Sequence, residues 1–330
     1  MQTIIYLAIR EPYLQSYMSY IHHHLIKCII KPLTRKDFSQ HLDFEKAKTS
    51  HSSFSFLFCD SDASLEAFKD CPLPRIAVRH EGNASDSLMS ARWLIDSPES
   101  ISQDYLAMVH ARYFELPLSV AVTPSLLLRE LTYDDLTALI RLQTENIDNP
   151  DGCFFTDGLE TAEDFLDDYI GNQYPFYDFG YYAIEIREKE SMSAVRALQT
   201  MNPKYMHEEK IDVKLEEKYG VPVNPWVVGI AGFSMETIEG EPALDFGYSI
   251  LSDWQGNGIA TEAVMGLLGN LSSQNKIWRS PLFEETIQEI PIYVRVRKKN
   301  HKGVRFARRL FTHPERWMDS KYQFKKILYL

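Results

Sequence analysis

One short turn in this chain has the residue types needed to bind a phosphate group. It is Gln255-Gly256-Asn257-Gly258, which lies between an apolar strand pattern and an apolar helix pattern. Such a turn aligns several backbone N–H groups at the positive end of a helix dipole, where they bind phosphate without charged side chains. Glycine suits Gly256 and Gly258 because a side chain would block a diphosphate or disfavour a positive φ angle.

This stretch resembles the acyl-CoA-binding motif of the GNAT N-acetyltransferase superfamily, whose pattern is Gln/Arg-x-x-Gly-x-Gly/Ala. The residues that fill the pattern without a gap are Gln255, Gly256, Asn257, Gly258, Ile259 and Ala260. The segment Thr261-Glu262-Ala263 is similar to the RimJ/RimL-like branch, which acetylates the N-termini of ribosomal proteins. The resemblance covers about residues 121–330 and implies acetyl-CoA as the co-substrate. A strand–turn–helix whose glycines serve only the turn is the alternative interpretation.

In the fold of that family, the strand before the phosphate loop splays away from the next strand, and backbone groups in the gap bind the pantetheine arm. The resemblance implies that residues 246–251 line this arm and that the amides of residues 255–260 bind the pyrophosphate. An N–H of Ile250 or Leu251 is expected to donate to the thioester oxygen as an oxyanion donor. The expected cofactor-binding residues are Ile250, Leu251, Gln255, Gly256, Asn257, Gly258, Ile259, Ala260, Thr261 and Asn300.

Residues 294–311 are similar to a second element of the family, a strand followed by Asn-x-x-Ser/Ala and a helix. Asn300 matches the asparagine that contacts the CoA arm. Gly303 stands where a serine often sits as a proposed acid toward the thiolate, and Ala307 stands where other branches carry a tyrosine acid. Phe311-Thr312 replaces the closing Gly-Phe. We therefore expect no obvious general acid here, although a CoA thiolate is a fair leaving group without one.

Asp245 and Glu236 are the candidates for a general base. A carboxylate on the substrate side of the site accepts the ammonium proton of an amine, directly or through water. Asp245 alternates with Gly247 and Ser249 onto one face of a strand. An exposed strand carboxylate without a catalytic role is the alternative interpretation.

A basic stretch follows the second element. Its eight members are Arg295, Arg297, Lys298, Lys299, Lys302, Arg305, Arg308 and Arg309. We expect some of them to meet the CoA 3′-phosphate or diphosphate, and others to belong to a solvated helix face. The competing interpretation of this basic stretch is that it binds nucleic acid. We do not expect a nucleic-acid partner.

The patterns along the chain predict an α/β (α+β) fold. Residues 121–330 are expected to form a GNAT-like mixed, mostly antiparallel sheet with a splayed strand pair and flanking helices. The predicted strands are 126–131, 176–186, 226–235, 243–251 and 290–296, and the predicted helices are 132–145, 163–170, 258–271 and 303–311. Thr132 and Asp135 form a capping-box-like start to the first of these helices. Residues 187–224 are predicted to be an insertion, with a helix at 213–218.

The first 120 residues are predicted to be an accessory α/β domain of unknown role. At 330 residues, the length is typical of two domains. Strands are expected at 54–58 and 75–79, and helices at 64–69 and 101–114.

The chain has a net charge of −11, and its charged residues are distributed unevenly along the sequence. Residues 121–275 carry 9 basic and 27 acidic side chains, whereas residues 276–330 carry 14 basic and 5 acidic ones. The acidic part would attract a cationic amine, and the basic part would hold an anionic cofactor.

The cysteines and the hydropathy indicate the environment of the protein. Its four cysteines have no close paired spacing, which is typical of reduced thiols in a cytoplasmic or nuclear protein. His24 and Cys28 lie one helical turn apart but supply only two ligands, so we expect no metal. No stretch approaches the roughly 20 apolar residues of a membrane span, and we expect no membrane association.

Together these features predict an acetyl-CoA-dependent N-acetyltransferase, an acyltransferase that acts by direct attack of a primary amine on the thioester. The amine is expected to be a peptide N-terminus or a small molecule. The alternative is a catalytically weak or inactive CoA-binding or protein-interaction module, which the residues at Gly303 and Ala307 motivate.

Overall fold

The structure of the chain is a computed structural model. It describes residues 2–25, 28–33, 53–114, 116–146, 161–177, 179–187, 224, 226–238, 240–273, 289–311, 314–318 and 321–329. Contacts divide the chain into two compact units, Met1–Leu116 and Pro117–Leu330. Within the described ranges, no helix has both the length and the apolar character needed to cross a membrane.

The first unit is built on a parallel sheet of five strands in the order β2-β1-β3-β4-β5. Its elements are β1 Gln2–Ala8, α1 Tyr13–His24, β2 Cys28–Pro32, β3 Ser53–Cys59, α2 Asp62–Ala67, β4 Arg75–Val78, β5 Trp93–Ile95 and α3 Gln103–Tyr113. The central strands are apolar on both faces because two clusters of buried side chains pack against them. The predicted strands at 54–58 and 75–79 and the helices at 64–69 and 101–114 are found, with ends shifted by at most two residues.

Polar residues that follow three strands of this sheet meet at its carboxyl edge. Arg10 follows β1, Asp60 follows β3 and His80 follows β4. The buried Asp60 carboxylate accepts from Arg10 Nε at 3.1 Å and contacts His80 Nε2 at 3.2 Å. Tyr13 stacks on the His80 ring. This network links three strand ends inside the first unit.

The second unit is built on a sheet of eight strands in the order β12-β13-β11-β10-β9-β8-β7-β6. Its strands are β6 Ser119–Val122, β7 Leu126–Glu130, β8 Tyr181–Ile186, β9 Val227–Ile238, β10 Glu241–Ile250, β11 Glu289–Arg297, β12 Pro314–Met318 and β13 Lys321–Tyr329. Every strand pair is antiparallel except β10–β11, which is parallel. The predicted mixed, mostly antiparallel sheet is therefore confirmed.

Helices flank this sheet. They are α4 Leu136–Asn146, α5 Ala162–Asp168, α6 Tyr174–Tyr177, α7 Ile259–Ser273 and α8 His301–Leu310, with a π-helical turn at Tyr169–Gln173. The capping box predicted at Thr132 and Asp135 is present before α4. The fully buried Asp135 also accepts two hydrogen bonds from Arg129, at 2.7 and 2.8 Å, which join β7 to the start of the helical segment.

The predicted strand at 176–186 begins too early. Residues 174–177 are helical, and β8 starts at Tyr181. The reason is tertiary: the Tyr174 hydroxyl accepts from the Leu131 N–H at 3.0 Å and donates to Tyr181 O, which keeps this segment in a helical turn. Tyr174 also packs on Tyr169 of the preceding π-helical turn, with ring centroids 5.7 Å apart. The predicted insertion at 187–224, including its helix at 213–218, lies almost wholly outside the described residues.

Candidate functional site

The site begins where β10 and β11 separate. Their parallel register consists of two pairs, Leu244 with Ile292 and Asp245 with Tyr293. Beyond them β10 stays paired with β9, while β11 stays paired with β13. The sheet therefore opens between the two strands into a cleft of about 990 Å³. This is the splayed pair expected from the sequence.

Strand register decides which backbone groups face the cleft. The Leu251 N–H donates to Val228 O at 3.0 Å, so this amide belongs to the β9–β10 pairing. Hydrogen-bonded and non-hydrogen-bonded pairs alternate along an antiparallel ladder. The backbone groups of Phe246, Tyr248 and Ile250 consequently face the opening beside β11. Of the two residues near which an oxyanion donor is expected, Leu251 has its N–H already bonded to Val228 O, whereas the Ile250 N–H faces the cleft.

The glycine turn lies at the mouth of this cleft. Gly256 has a φ of +89° and Gly258 a φ of +83°, so both positions need the left-handed backbone region that favours glycine. A methyl group built at either glycine meets nothing within 4 Å. Both glycines are therefore explained by backbone conformation and by the open space above them.

Most amides of the turn point to no acceptor in the described residues. The first helical bond of α7 runs from Glu262 N–H to Gly258 O at 3.0 Å. Gln255 N–H donates to Ser252 O at 3.3 Å, so it is excluded from the expected pyrophosphate-binding set. The N–H groups of residues 256–261 have no protein acceptor within the described chain. Three of these six amides belong to the two-glycine loop, and the other three belong to the first turn of α7, where a helix leaves its amides without intrahelical partners.

The side chains of the turn hold its shape. Gln255 Nε2 donates to Ile250 O at 3.0 Å, and Lys302 Nζ donates to Gln255 Oε1 at 3.4 Å. Asn257 turns away from the cleft and donates to Trp254 O at 3.3 Å. The expected cofactor residues that line the cleft are Ile250, Gln255, Gly256, Gly258, Ile259, Ala260, Thr261 and Asn300. The other two expected residues, Leu251 and Asn257, are not part of the described cleft lining.

An anchor at the start of α7 fixes the turn to the sheet. Glu262 accepts from Thr123 Oγ1 at 2.5 Å, from Ser125 N at 2.8 Å and from Ser125 Oγ at 2.6 Å. Burial acts to raise the pKa of Glu262, but these hydrogen bonds outweigh it and lower that pKa. The sequence marked Glu262 only as part of the motif, because its partners lie more than 130 residues away.

Helix α8 presents basic side chains to the cleft. Lys302, Arg305 and Arg309 line it, as expected for residues spaced three and four apart on one helix face. Arg308 is exposed and lies outside the cleft lining. The stretch of eight basic residues therefore divides into cleft-lining residues and solvated ones.

The N-terminus of α8 is too tight for a serine at Gly303. Asn300 caps the helix by accepting from the Gly303 N–H at 2.8 Å. A methyl group at Gly303 would lie 2.8 Å from Val296 Cγ1 and 2.9 Å from Asn300 Nδ2. Ala307 is fully buried and offers no hydroxyl. Neither position supplies an acid.

Tyr248 places a side chain on the wall of the cleft, and the sequence analysis gave this residue no role. It packs on Phe306 of α8, with ring centroids 4.6 Å apart, and burial raises its pKa to about 12. The phenol therefore stays protonated at neutral pH.

Both candidate bases contact one arginine. Arg295 of β11 reaches Asp245 through Nε at 3.2 Å and through Nη2 at 3.1 Å, and Nη2 also pairs with Glu236. Asp245 lines the cleft, whereas Glu236 does not. Burial raises the pKa of Asp245 from 3.8 to about 6, although Arg295 acts in the opposite direction. Arg295 is thus a partner of these carboxylates, which its place in the basic stretch did not reveal.

No family model matches the sequence, and no curated protein matches it. Comparison with solved structures finds GNAT acetyltransferases. RimL, a ribosomal-protein α-N-acetyltransferase, aligns at 15% identity and a TM-score of 0.38, covering 64% of this chain and 95% of that chain. RimJ of Mycobacterium smegmatis, in complex with CoA-disulfide, aligns at 14% identity and a TM-score of 0.36, covering 64% and 85%. The yncA protein of Salmonella typhimurium, with its cofactor acetyl-CoA, aligns at 12% identity and a TM-score of 0.36, covering 62% and 94%.

The fit of a ligand to this cleft depends on the residues that line it. The donor set suits the anionic part of acetyl-CoA: six unpaired amides, an open space above two glycines, and a basic helix face beside them. The opening between β10 and β11 suits a long, narrow arm whose amides bond to strand backbone. Within the described residues, the amides, the open strand backbone and the α8 cations are therefore chemically compatible with acetyl-CoA.

Proposed function

We propose that this protein is an acetyl-CoA-dependent N-acetyltransferase that transfers an acetyl group to a primary amine by direct attack. One observation supports the proposal above all others. The unpaired amides of residues 256–261 lie at the end of a parallel strand pair that stops pairing at Asp245. This juxtaposition supports a diphosphate site at the turn that continues into an opening for the pantetheine arm.

The chain's own groups would hold the cofactor in three places. The amides of residues 256–261 would bind the diphosphate, since unpaired helix N-terminal amides favour anions. Lys302, Arg305 and Arg309 would contact the 3′-phosphate or the diphosphate of CoA. The backbone of Phe246, Tyr248 and Ile250 would bond the amides of the pantetheine arm in the manner of an added strand.

The chemistry needs a neutral amine and a stabilised oxyanion. Asp245 would take one proton from the substrate ammonium, directly or through water. The amine lone pair then attacks the thioester carbon, and a cleft-facing N–H of β10 close to Asp245 would stabilise the oxyanion. The Ile250 N–H lies five residues, about 16 Å, farther along the strand and so nearer the glycine turn. Collapse breaks the C–S bond, and the second amine proton leaves as the thiolate gains one, so free CoA and an amide result. The Tyr248 phenol, which lines the cleft and is protonated, is the candidate proton donor to the sulfur.

The charge of the cleft bears on the amine. Within its described lining, Asp245 is the acidic residue, and the basic residues are Arg295, Arg297, Lys299, Lys302, Arg305, Arg309 and Lys321. Within the described part of residues 121–275, the acidic side chains are therefore not concentrated along the cleft. This argues against a polyamine and favours an acceptor with a single amine, such as a peptide N-terminus.

A second candidate is a CoA-binding or protein-interaction module without catalysis. It rests on the tight packing at Gly303 and the buried Ala307, which remove two positions for an acid. The cleft and loop would be the same, but no acetyl group would be transferred.

Release of free CoA thiol from acetyl-CoA separates the two candidates. The purified protein is offered a panel of peptides with free N-termini, the same peptides with blocked N-termini, and small amines. Amine-dependent release with a mass gain of one acetyl group supports the transferase. Tight CoA binding by calorimetry with no release on any amine favours the module, and no CoA binding at all contradicts both.

A further inference from the structure

Arg295 occupies a special place in the sheet. It lies two residues after Tyr293, whose pairing with Asp245 is the last contact in register between β10 and β11. Its side chain faces the same side as that of Tyr293, because side chains in a strand alternate. From there the guanidinium contacts Asp245 on β10 and Glu236 on β9. Arg295 thus joins three adjacent strands where the cleft begins.

We propose that Arg295 is a positioning residue of the acyl-transfer site, which keeps the Asp245 carboxylate ionised and fixed at the inner end of the cleft. The inference rests on the proposed function for its catalytic consequence. The ion pair itself is independent of any reaction. Lys302 of α8, by contrast, contacts Gln255 in the glycine turn.

The geometry gives the guanidinium this role. Two nitrogens of Arg295 reach the two oxygens of Asp245, at 3.2 and 3.1 Å, which fixes both the position and the rotation of the carboxylate. The three side chains are all partly buried, with exposed fractions of 30% for Arg295, 21% for Asp245 and 34% for Glu236. Partial burial strengthens the interaction relative to an exposed surface pair.

Four charged or titratable groups surround the Asp245 carboxylate. They are Arg295 on β11, Glu236 on β9, Lys321 on β13 and Tyr181 on β8. Burial and Glu236 raise the pKa of Asp245, whereas Arg295 and Lys321 lower it. Arg295 contributes the largest opposing effect. Without it, burial would leave Asp245 protonated near neutral pH, and a protonated carboxyl cannot accept the proton of an ammonium group.

The direct test is a titration of the Asp245 carboxyl carbon by NMR, assigned by its loss in the Asp245→Asn protein. It needs no substrate. In the unaltered protein the midpoint is expected near 6. In Arg295→Gln it should rise by about one to three units, the usual effect of removing an opposite charge at this distance. Arg295→Lys should give a smaller rise, and Arg308→Gln, a matched change outside the cleft, should give none.

The kinetic test follows the same proton. The acidic limb of the kcat/KM profile should move upward in Arg295→Gln by the shift seen in the titration, so that raising the pH restores activity. Affinity for CoA should change little. An unchanged Asp245 midpoint in Arg295→Gln and Arg295→Lys overturns the proposal, as does a uniform loss of activity at every pH. If the unaltered protein acetylates no amine, the proposed function fails, and the titration still decides the role of Arg295.

Discussion

Replacing Gly258 tests whether the turn after β10 binds CoA through its backbone. Gly258 has a φ of +83°, and a methyl group there meets no atom within 4 Å. The cost of Gly258→Ala is therefore conformational rather than steric, about 1–2 kcal/mol for a residue with a Cβ in the left-handed region. If the free loop relaxes and must return to this conformation to bind, that cost weakens CoA affinity by about 5- to 30-fold. Gly258→Val should abolish binding, because a branched side chain also covers the amides.

Isothermal titration calorimetry with CoA, combined with thermal unfolding, measures both parts of this cost. Gly240 is a matched control: its φ is +88°, its surroundings are equally open, and it lies in the β9–β10 turn. Gly240→Ala should lower the unfolding temperature without changing CoA affinity. Gly269 in α7 is also open but lacks a positive φ, so Gly269→Ala should stabilise the helix by about 0.5–1 kcal/mol. CoA affinity that stays unchanged in Gly258→Val, or falls equally in Gly240→Ala, refutes the reasoning.

The remaining predictions concern the base, the basic helix face and the anchor of α7. Asp245→Asn should lower kcat and remove the rise of activity with pH near 6, with little effect on CoA affinity; the same result from Glu236→Gln instead would show that the base is misassigned. The pKa of Asp245 is raised by about two units in the folded state, so its ionisation should lower the free energy of unfolding by about 3 kcal/mol as the pH rises from 4 to 6. In urea titrations over the same pH range, the free energy of unfolding of Asp245→Asn should fall by less. Lys302→Ala combined with Arg305→Ala should weaken CoA binding several-fold at low salt and less at high salt, whereas Arg308→Ala should not. Glu262→Gln should lower the unfolding temperature at pH 7, and the difference should shrink as the pH falls below about 4, because a lowered pKa adds stability only while the group is ionised.

Local patterns predicted the elements that carry the loop. The hairpin of β9 and β10 is found with its turn at Gly240, and α7 begins one residue after the predicted start. The capping box at Thr132 and Asp135 is confirmed. Each of these signals involves residues within four positions of one another, where backbone angles and hydrogen bonds are set by the residue types themselves.

Patterns that depend on distant partners were less informative. Residues 176–177 were predicted to begin a strand but lie in a helix, where Tyr174 bonds to Leu131 and Tyr181. The last two strands, β12 and β13, were not predicted. The sequence also grouped Arg295 with the phosphate-binding cations, since its neighbours in the chain are basic.

The sequence by itself determined the glycine turn before α7, because two glycines ahead of an apolar helix favour positive φ angles and a helix start leaves its first amides without intrahelical partners. The tertiary structure decided which amide faces the cleft and which carboxylate lines it. Ile250 rather than Leu251 faces the cleft because of the register with β9. Asp245 rather than Glu236 lines it, held by an arginine 50 residues further along the chain. Strand register and ion pairing between distant segments are set only when the sheet assembles, so no local pattern contains them.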